Sequence, residues 1–169
     1  MFGRVPRTHP LLDDDVRGAI ERAASDYLGE RWTCTSFTNL NDQASHPAGV
    51  LHGPGFSVFA KLGLDSDSAK QFTSELRGLA FVRDAAAVVT PTPIGSGLVA
   101  LQQGCLLLFE ALPERLPDAR TNEDWSAIGR TLAMLHRVHA DSFGLPAFDG
   151  FFGPPNAVSC GVSSATSQW

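Results

Sequence analysis

The sequence predicts an α+β fold, a five-stranded antiparallel sheet carrying a long helix against one face. Three observations lead there. Short strand-like runs follow one another across turn-length gaps, which favours antiparallel pairing of neighbours. Amphipathic helical stretches at residues 13–28 and 68–83 bracket the first runs, and another helix opens after the last. Most gaps are too short to hold a crossover helix, so a doubly wound parallel sheet is excluded.

In residues 13–28, Val16, Ile20, Ala24 and Tyr27 recur on one helical face, and Gly29 ends the helix. Residues 32–37 and 46–51 are short strands on either side of the polar run Asn39-Leu40-Asn41-Asp42-Gln43. Gly53-Pro54-Gly55 is a turn signal, giving a hairpin connection of four residues between Leu51 and Phe56. Residues 56–62 follow as a strand. In the helix at 68–83, Phe72, Leu76, Leu79 and Arg83 share a face; its start is capped either by Ser68 with Gln71 or by Asp67. Pro91 and Pro93 hold the chain extended, because each ring pushes the preceding residue away from helix. Gly95 and Gly97 bracket a turn before strands at 98–101 and 105–109.

Residues 114–120 form a polar connector. Thr121 then opens a third helix with Asp124 as reciprocal cap, and Trp125, Ile128, Leu132, Leu135 and Val138 mark its buried face to about Ala140. Glycines and prolines between Gly144 and Pro155 mark a loop region. Residues 156–169 carry no charge and four serines and read as an unstructured tail. The expected organisation is an N-terminal helix in 1–30, a sheet domain in 31–112, a connector and the start of a second lobe in 113–155, and an atypical tail in 156–169.

A chain of 169 residues suits one domain, or one lobe with part of another. The apolar share of 43% and charged share of 18% argue against wholesale disorder. Thirteen basic against eighteen acidic residues give a formal charge of -5, which offers no field for nucleic acid or anionic lipid. Asp13, Asp14 and Asp15 rule against a signal peptide, and the most apolar stretch, 97–112, is too short and polar to span a bilayer. Cys34, Cys105 and Cys160 are widely spaced with no CxxC, so reduced thiols in a cytoplasmic protein are expected. Covalent hydrolysis finds no support: Gly95-Ser96-Gly97 lacks the flanks of a nucleophile elbow, and Cys105 sits in an apolar run. His136 and His139 lack a third ligand of suitable spacing, so no metal site is expected on them.

Lys61 lies at the end of the apolar run Val58-Phe59-Ala60-Lys61-Leu62, where an unpaired buried ammonium is costly. Either its stem snorkels and leaves the charge in water, or it holds phosphate oxygens of a nucleotide beside a carboxylate that keeps it in place. Glu75 falls three residues after Phe72 and four before Leu79, on or beside the helix face that meets the sheet. Either it is solvated at the edge of that face or it pairs with Lys61, each satisfying the other's charge. The segment 106–112 runs from an apolar strand directly into the connector, as a hinge between two lobes would. A base lying against its end would bond to backbone groups at Glu110, Ala111 and Leu112. Any strand-to-linker exit has the same appearance.

Lys61, Glu75, the segment 106–112 and the string GRTLAMLHRVHADSFG at 129–144, with DGFFGP at 149–154, together resemble the fructosamine (ketosamine) kinase family. That family lies within the wider aminoglycoside phosphotransferase and protein-kinase-like group, and the likeness covers about 37–155. The resemblance implies a protein-kinase-like N-terminal lobe, with the hinge and first helix of a C-terminal lobe. It implies an ATP-dependent small-molecule kinase acting on a sugar-amine hydroxyl. The lysine matched by Lys61 contacts ATP phosphates and pairs with the glutamate matched by Glu75, while the backbone near Glu110, Ala111 and Leu112 receives the adenine. The loop holding Asn41 and Asp42 covers the phosphates, although it departs from the family's glycine-rich form.

A larger departure follows Pro155. The family continues into a helical lobe with a His-Gly-Asp catalytic loop and a later acidic metal-binding residue, and here none of His9, His46, His52, His136 or His139 precedes Gly-Asp. The expectation is therefore a chain truncated or frame-changed near Asn156, with Mg2+ ligands in a missing lobe, no catalytic residue of its own and no phosphoryl transfer. The alternative from another class is a non-catalytic kinase-fold fragment or interaction protein. In either case the aromatic stretch from Phe148 to Phe152 would face a missing lobe or a partner.

Overall fold

The computed structural model describes residues 9–113 and 117–139. Helix α1 (Asp14–Leu28) leads into strands β1 (Ser36–Asn39), β2 (Ala48–Gly53) and β3 (Phe56–Gly63). Helix α2 (Ser68–Ala86) precedes β4 (Pro93–Ala100) and β5 (Cys105–Glu110), and α3 (Asn122–His136) follows. The strands make one antiparallel sheet in the order β1-β2-β3-β5-β4. After α2 the chain crosses to the far edge as β4, and β5 then returns to the centre beside β3, from Gly63↔Cys105 to Val58↔Glu110.

Both faces of the sheet are covered, where the sequence led us to expect a helix against one. On one face Ile20 and Ala24 of α1, with Leu11 and Trp32, pack on Leu51, Val58, Ala60, Leu62, Leu106 and Leu108. On the other, Phe72 of α2 meets Cys105, Leu107 and Phe109, flanked by Phe59, Leu76 and Leu79. Alternate residues of β5 serve opposite cores. Double cover is why Cys105, Leu106, Leu107, Leu108 and Phe109 form an unbroken apolar run that shows no alternation.

Several boundaries move for identifiable reasons. The strand expected at 32–37 begins at Ser36. Trp32 instead closes the end of α1: its backbone N–H donates to Ser25 Oγ at 2.9 Å and its indole N–H to the Phe56 carbonyl at 3.2 Å. A large ring with a reachable acceptor is better buried there than half-exposed in an edge strand. The β2–β3 hairpin has a tighter connection than the four residues expected, because Gly53 pairs with Phe56 and leaves Pro54-Gly55 as the turn. Gly55 takes a φ of 67°, a conformation costly for any residue with a Cβ. β4 starts at Pro93, which an edge strand tolerates, and the turn expected at Gly95 and Gly97 is a register shift between Pro93 and Leu98.

Neither proposed cap holds the start of α2. Asp65 Oδ1 accepts from the Ser68 backbone N–H at 2.7 Å, the Ser68 hydroxyl at 2.8 Å and the Asp67 N–H at 3.0 Å. At α3 the reciprocal cap of Thr121 and Asp124 is present. Its apolar stripe, however, is not buried as expected: Trp125 is 51% exposed, Ile128 39% and Leu132 50%. The helix meets α2 along a short contact, too small to cover a full stripe, and Trp125 lies under the Arg120 guanidinium. The aromatic stretch 148–152, the 149–154 motif, Cys160 and the tail 156–169 lie outside the described residues. Among the described residues no helix is long and apolar enough to cross a membrane.

Candidate functional site

A cleft of about 1060 Å³ opens on the α2 face of the sheet. Strand register decides what lines it. Thr38 pairs with Val50, Val50 with Phe59, and Phe59 with Phe109, so these four stand in one row across the sheet. With Leu79 of α2, Val50, Phe59 and Phe109 form an apolar strip along the cleft floor, and the Phe59 and Phe109 rings lie 6.4 Å apart. Such a strip suits a flat, largely apolar ligand group.

Lys61 stands two residues along β3 from Phe59, on the same face. Its Nζ donates to Glu75 Oε1 at 2.7 Å and Oε2 at 2.9 Å. The side chains are 21% and 23% exposed, so the pair is largely withdrawn from water yet still borders the cleft. Glu75 is brought there because Phe72, one turn earlier on the same row of α2, is buried against the sheet. An ammonium has three N–H donors; two directed at Glu75 leave a third for a ligand. The two side chains are therefore paired with each other, and neither charge is left to water alone.

Glu110, Ala111 and Leu112 line the opposite end of the cleft. The Ala111 N–H donates to the Ser57 carbonyl at 2.9 Å and the Glu110 N–H to the Thr92 carbonyl at 2.8 Å. Among the described residues the Leu112 N–H has no hydrogen-bond partner. The Glu110 side chain turns to the α1 side, where Tyr27 donates to its Oε1 at 2.7 Å. That hydrogen bond to an anion, helped by desolvation, raises the Tyr27 pKa above the ordinary phenol range.

Asn41 and Asp42 occupy a short 3-10 turn between β1 and β2 and are not among the residues lining the cleft. Asn41 Oδ1 accepts from the Ala48 N–H at 3.0 Å and from His9 Nε2 at 2.7 Å. Because His9 Nδ1 accepts from the Leu11 N–H, the proton of a neutral ring sits on Nε2, and Asn41 is the acceptor. The amide oxygen is thus engaged in shaping the loop, and this loop meets the cleft through Leu40 rather than through Asn41 or Asp42.

One constellation was missed by sequence reasoning. His52 Nε2 lies 2.9 Å from Thr38 Oγ1 and His52 Nδ1 lies 3.0 Å from Ser57 Oγ, all on the cleft wall. No linear spacing signals it, because the three residues come from three strands and only the register unites them. Among the described residues no group of three or more His, Cys, Asp or Glu side chains is placed to hold a metal ion.

Two solved structures are similar to this chain. A protein from Haemophilus somnus 129PT, assigned as a fructosamine-3-kinase, aligns with a TM-score of 0.62 at 21% identity, covering 81% of this chain and 44% of that one. The microcompartment-associated aminopropanol kinase gives a TM-score of 0.47 at 23% identity, covering 78% of this chain and 44% of its own. The chain thus spans less than half the length of either structure, and the likeness to the first shows a kinase-like N-terminal lobe. No curated protein matches. The sequence matches the fructosamine kinase family over residues 17–158, a span that takes in the whole sheet, the cleft with its Lys61–Glu75 pair, and α3; the chain belongs to that family of small-molecule kinases.

Proposed function

We propose that the cleft binds ATP, and that this chain is the nucleotide-binding part of a small-molecule kinase acting on a ketosamine-type hydroxyl. The observation that carries the reading is the Lys61–Glu75 pair at one end of an apolar cleft whose other end offers the Leu112 N–H. Adenine would lie along Val50, Phe59, Leu79 and Phe109, with the Glu110 carbonyl and Leu112 N–H meeting its donor and acceptor edge. Lys61 would hold phosphate oxygens with its remaining N–H, while Glu75 keeps it extended over the cleft. A charge-assisted contact of this kind contributes about 1.5–3 kcal/mol.

Family membership supports a ketosamine-type acceptor, and the free thiols of Cys34 and Cys105 support a cytoplasmic setting. Phosphoryl transfer needs metal ions and a group to orient the attacking hydroxyl. The sequence contains no His-Gly-Asp segment, so we expect the 169-residue chain to bind nucleotide without transferring phosphate. The exposed stripe of Trp125, Ile128 and Leu132 on α3 supports the alternative that the chain serves as a binding module for a further lobe or protein. Titration of AMP, ADP and ATP into the protein tests the nucleotide reading. Affinity should climb with phosphate number, and Lys61→Ala should flatten that climb. Equal weak binding by both proteins would remove the role given to Lys61.

A further inference from the structure

The Thr38–His52–Ser57 relay has no part in the reading above, although all three side chains face the cleft. A neutral imidazole has one N–H and one bare nitrogen. Whichever tautomer His52 adopts, one neighbouring hydroxyl accepts from the ring and the other donates to it. The accepting hydroxyl keeps its own O–H to offer. The donating hydroxyl keeps its lone pairs. The wall therefore presents one free donor and one free acceptor, and a tautomer exchange swaps them. A vicinal diol of a sugar presents the complementary pair, since each of its hydroxyls serves in either sense.

The position of the relay fits one such diol. The Ser57 carbonyl accepts the Ala111 N–H, so the relay stands level with the strand end at Glu110 to Leu112. His52 on β2 is two strand spacings from β5, roughly 10 Å. That span is comparable with the reach of a purine nucleoside from its base edge to its ribose hydroxyls. Thr38 pairs with Val50, one same-face step from His52 toward Ala48, which itself pairs with Lys61. A ribose on this wall thus leaves its phosphates directed toward the ammonium.

We propose that Thr38, His52 and Ser57 form a ribose-recognition wall that gives the cleft a preference for ribonucleotides; this rests on the nucleotide reading of the cleft. The experiment compares ATP with 2′,3′-dideoxy-ATP by calorimetry, using the full chain and the double variant Thr38→Val/Ser57→Ala. Wild-type protein should bind the dideoxy form roughly three- to tenfold more weakly, as expected for the loss of one or two neutral hydrogen bonds. The double variant should bind both forms alike. Equal wild-type affinities for the two nucleotides would overturn the proposal, and that comparison needs no variant to fold. So would a preference that persists in the double variant, or a ketosamine titration that responds to the variant while ATP binding does not. Failure of the wild-type chain to bind ATP at all would instead overturn the nucleotide reading, and this proposal with it.

Discussion

The geometry makes Glu75 act on a nucleotide through Lys61, and a double-mutant cycle separates that from an independent role. Lys61→Met removes the ammonium and keeps much of the stem's volume. Losing a charge-assisted contact to phosphate should weaken ATP binding roughly ten- to hundredfold. Glu75→Gln leaves the ammonium in place but loosens its two short hydrogen bonds of 2.7 and 2.9 Å. A free lysine side chain carries up to about 2 kcal/mol of rotamer freedom. The stem of Lys61 is already packed, with 21% of the side chain exposed, so part of that freedom stays restrained. The remainder, about 1 kcal/mol, corresponds to roughly fivefold weaker binding. Once Lys61 is Met, Glu75→Gln should have no further effect, because there is no ammonium left to position. Calorimetric titration of ATP into the four proteins supplies the cycle, with thermal unfolding as the check on folding. Additive losses would refute the argument. So would tighter binding by Glu75→Gln, which would mean that the carboxylate acts on the triphosphate chiefly by repulsion.

Two further outcomes test the frame around the cleft. Tyr27 is the single tyrosine of the chain, so its ionisation can be followed by near-ultraviolet absorbance without overlap from another phenol. Its titration should run more alkaline than an ordinary tyrosine and move back toward the usual range in Glu110→Gln, since the Glu110 hydrogen bond is the leading cause of the rise. A raised phenol pKa means the contact stabilises the fold fully below the unfolded pKa and is lost as pH climbs through the raised one; an unchanged titration in Glu110→Gln would contradict the contact. Leu108 is fully buried against the α1 side of the sheet, and Leu108→Ala should cost about 2–5 kcal/mol in chemical denaturation. A loss below about 1 kcal/mol would show that the α1-side core is not closely packed there.

Much of this was legible in the sequence where local chemistry and tertiary packing agree. Phe56 to Leu62 and the stretch from Ser68 have the periods of a strand and a helix, and both elements are present. The Lys61–Glu75 contact was open to inference because a strand cation and a helix carboxylate of that order have few other partners. The rest depended on information that period and propensity do not carry. Trp32 looks like the start of a strand until its indole is seen to need the Phe56 carbonyl. The cap of α2 comes from Asp65, upstream of both candidates, because Gly63 lets the chain fold back so that Ser68 packs where a Cβ would stand. The relay of Thr38, His52 and Ser57 exists only once β1, β2 and β3 are in register. The loop at Asn41 is shaped by that side chain's bonds to Ala48 and His9 and reaches the cleft through Leu40, a placement that composition does not carry.

The division of labour between the two faces of the sheet follows from how each is covered. On the α1 side, Leu51, Val58, Ala60, Leu62, Leu106 and Leu108 are all buried, and this face carries a large share of the apolar burial that holds the sheet. On the α2 side the helix covers Cys105, Leu107 and Phe109 but leaves Val50 and Phe59 part-exposed along the cleft. That arrangement allows an apolar strip to stay open without unravelling the strands that present it. It also sets where variation is tolerated: Val50→Ala should lose far less stability than Leu108→Ala, because its side chain is already partly in water. If the strip is the seat of a purine, the same Val50→Ala change should weaken ATP more than inorganic triphosphate, which reaches Lys61 without touching the strip. Equal weakening of the two ligands would place the ligand's ring elsewhere and leave the open strip without its function.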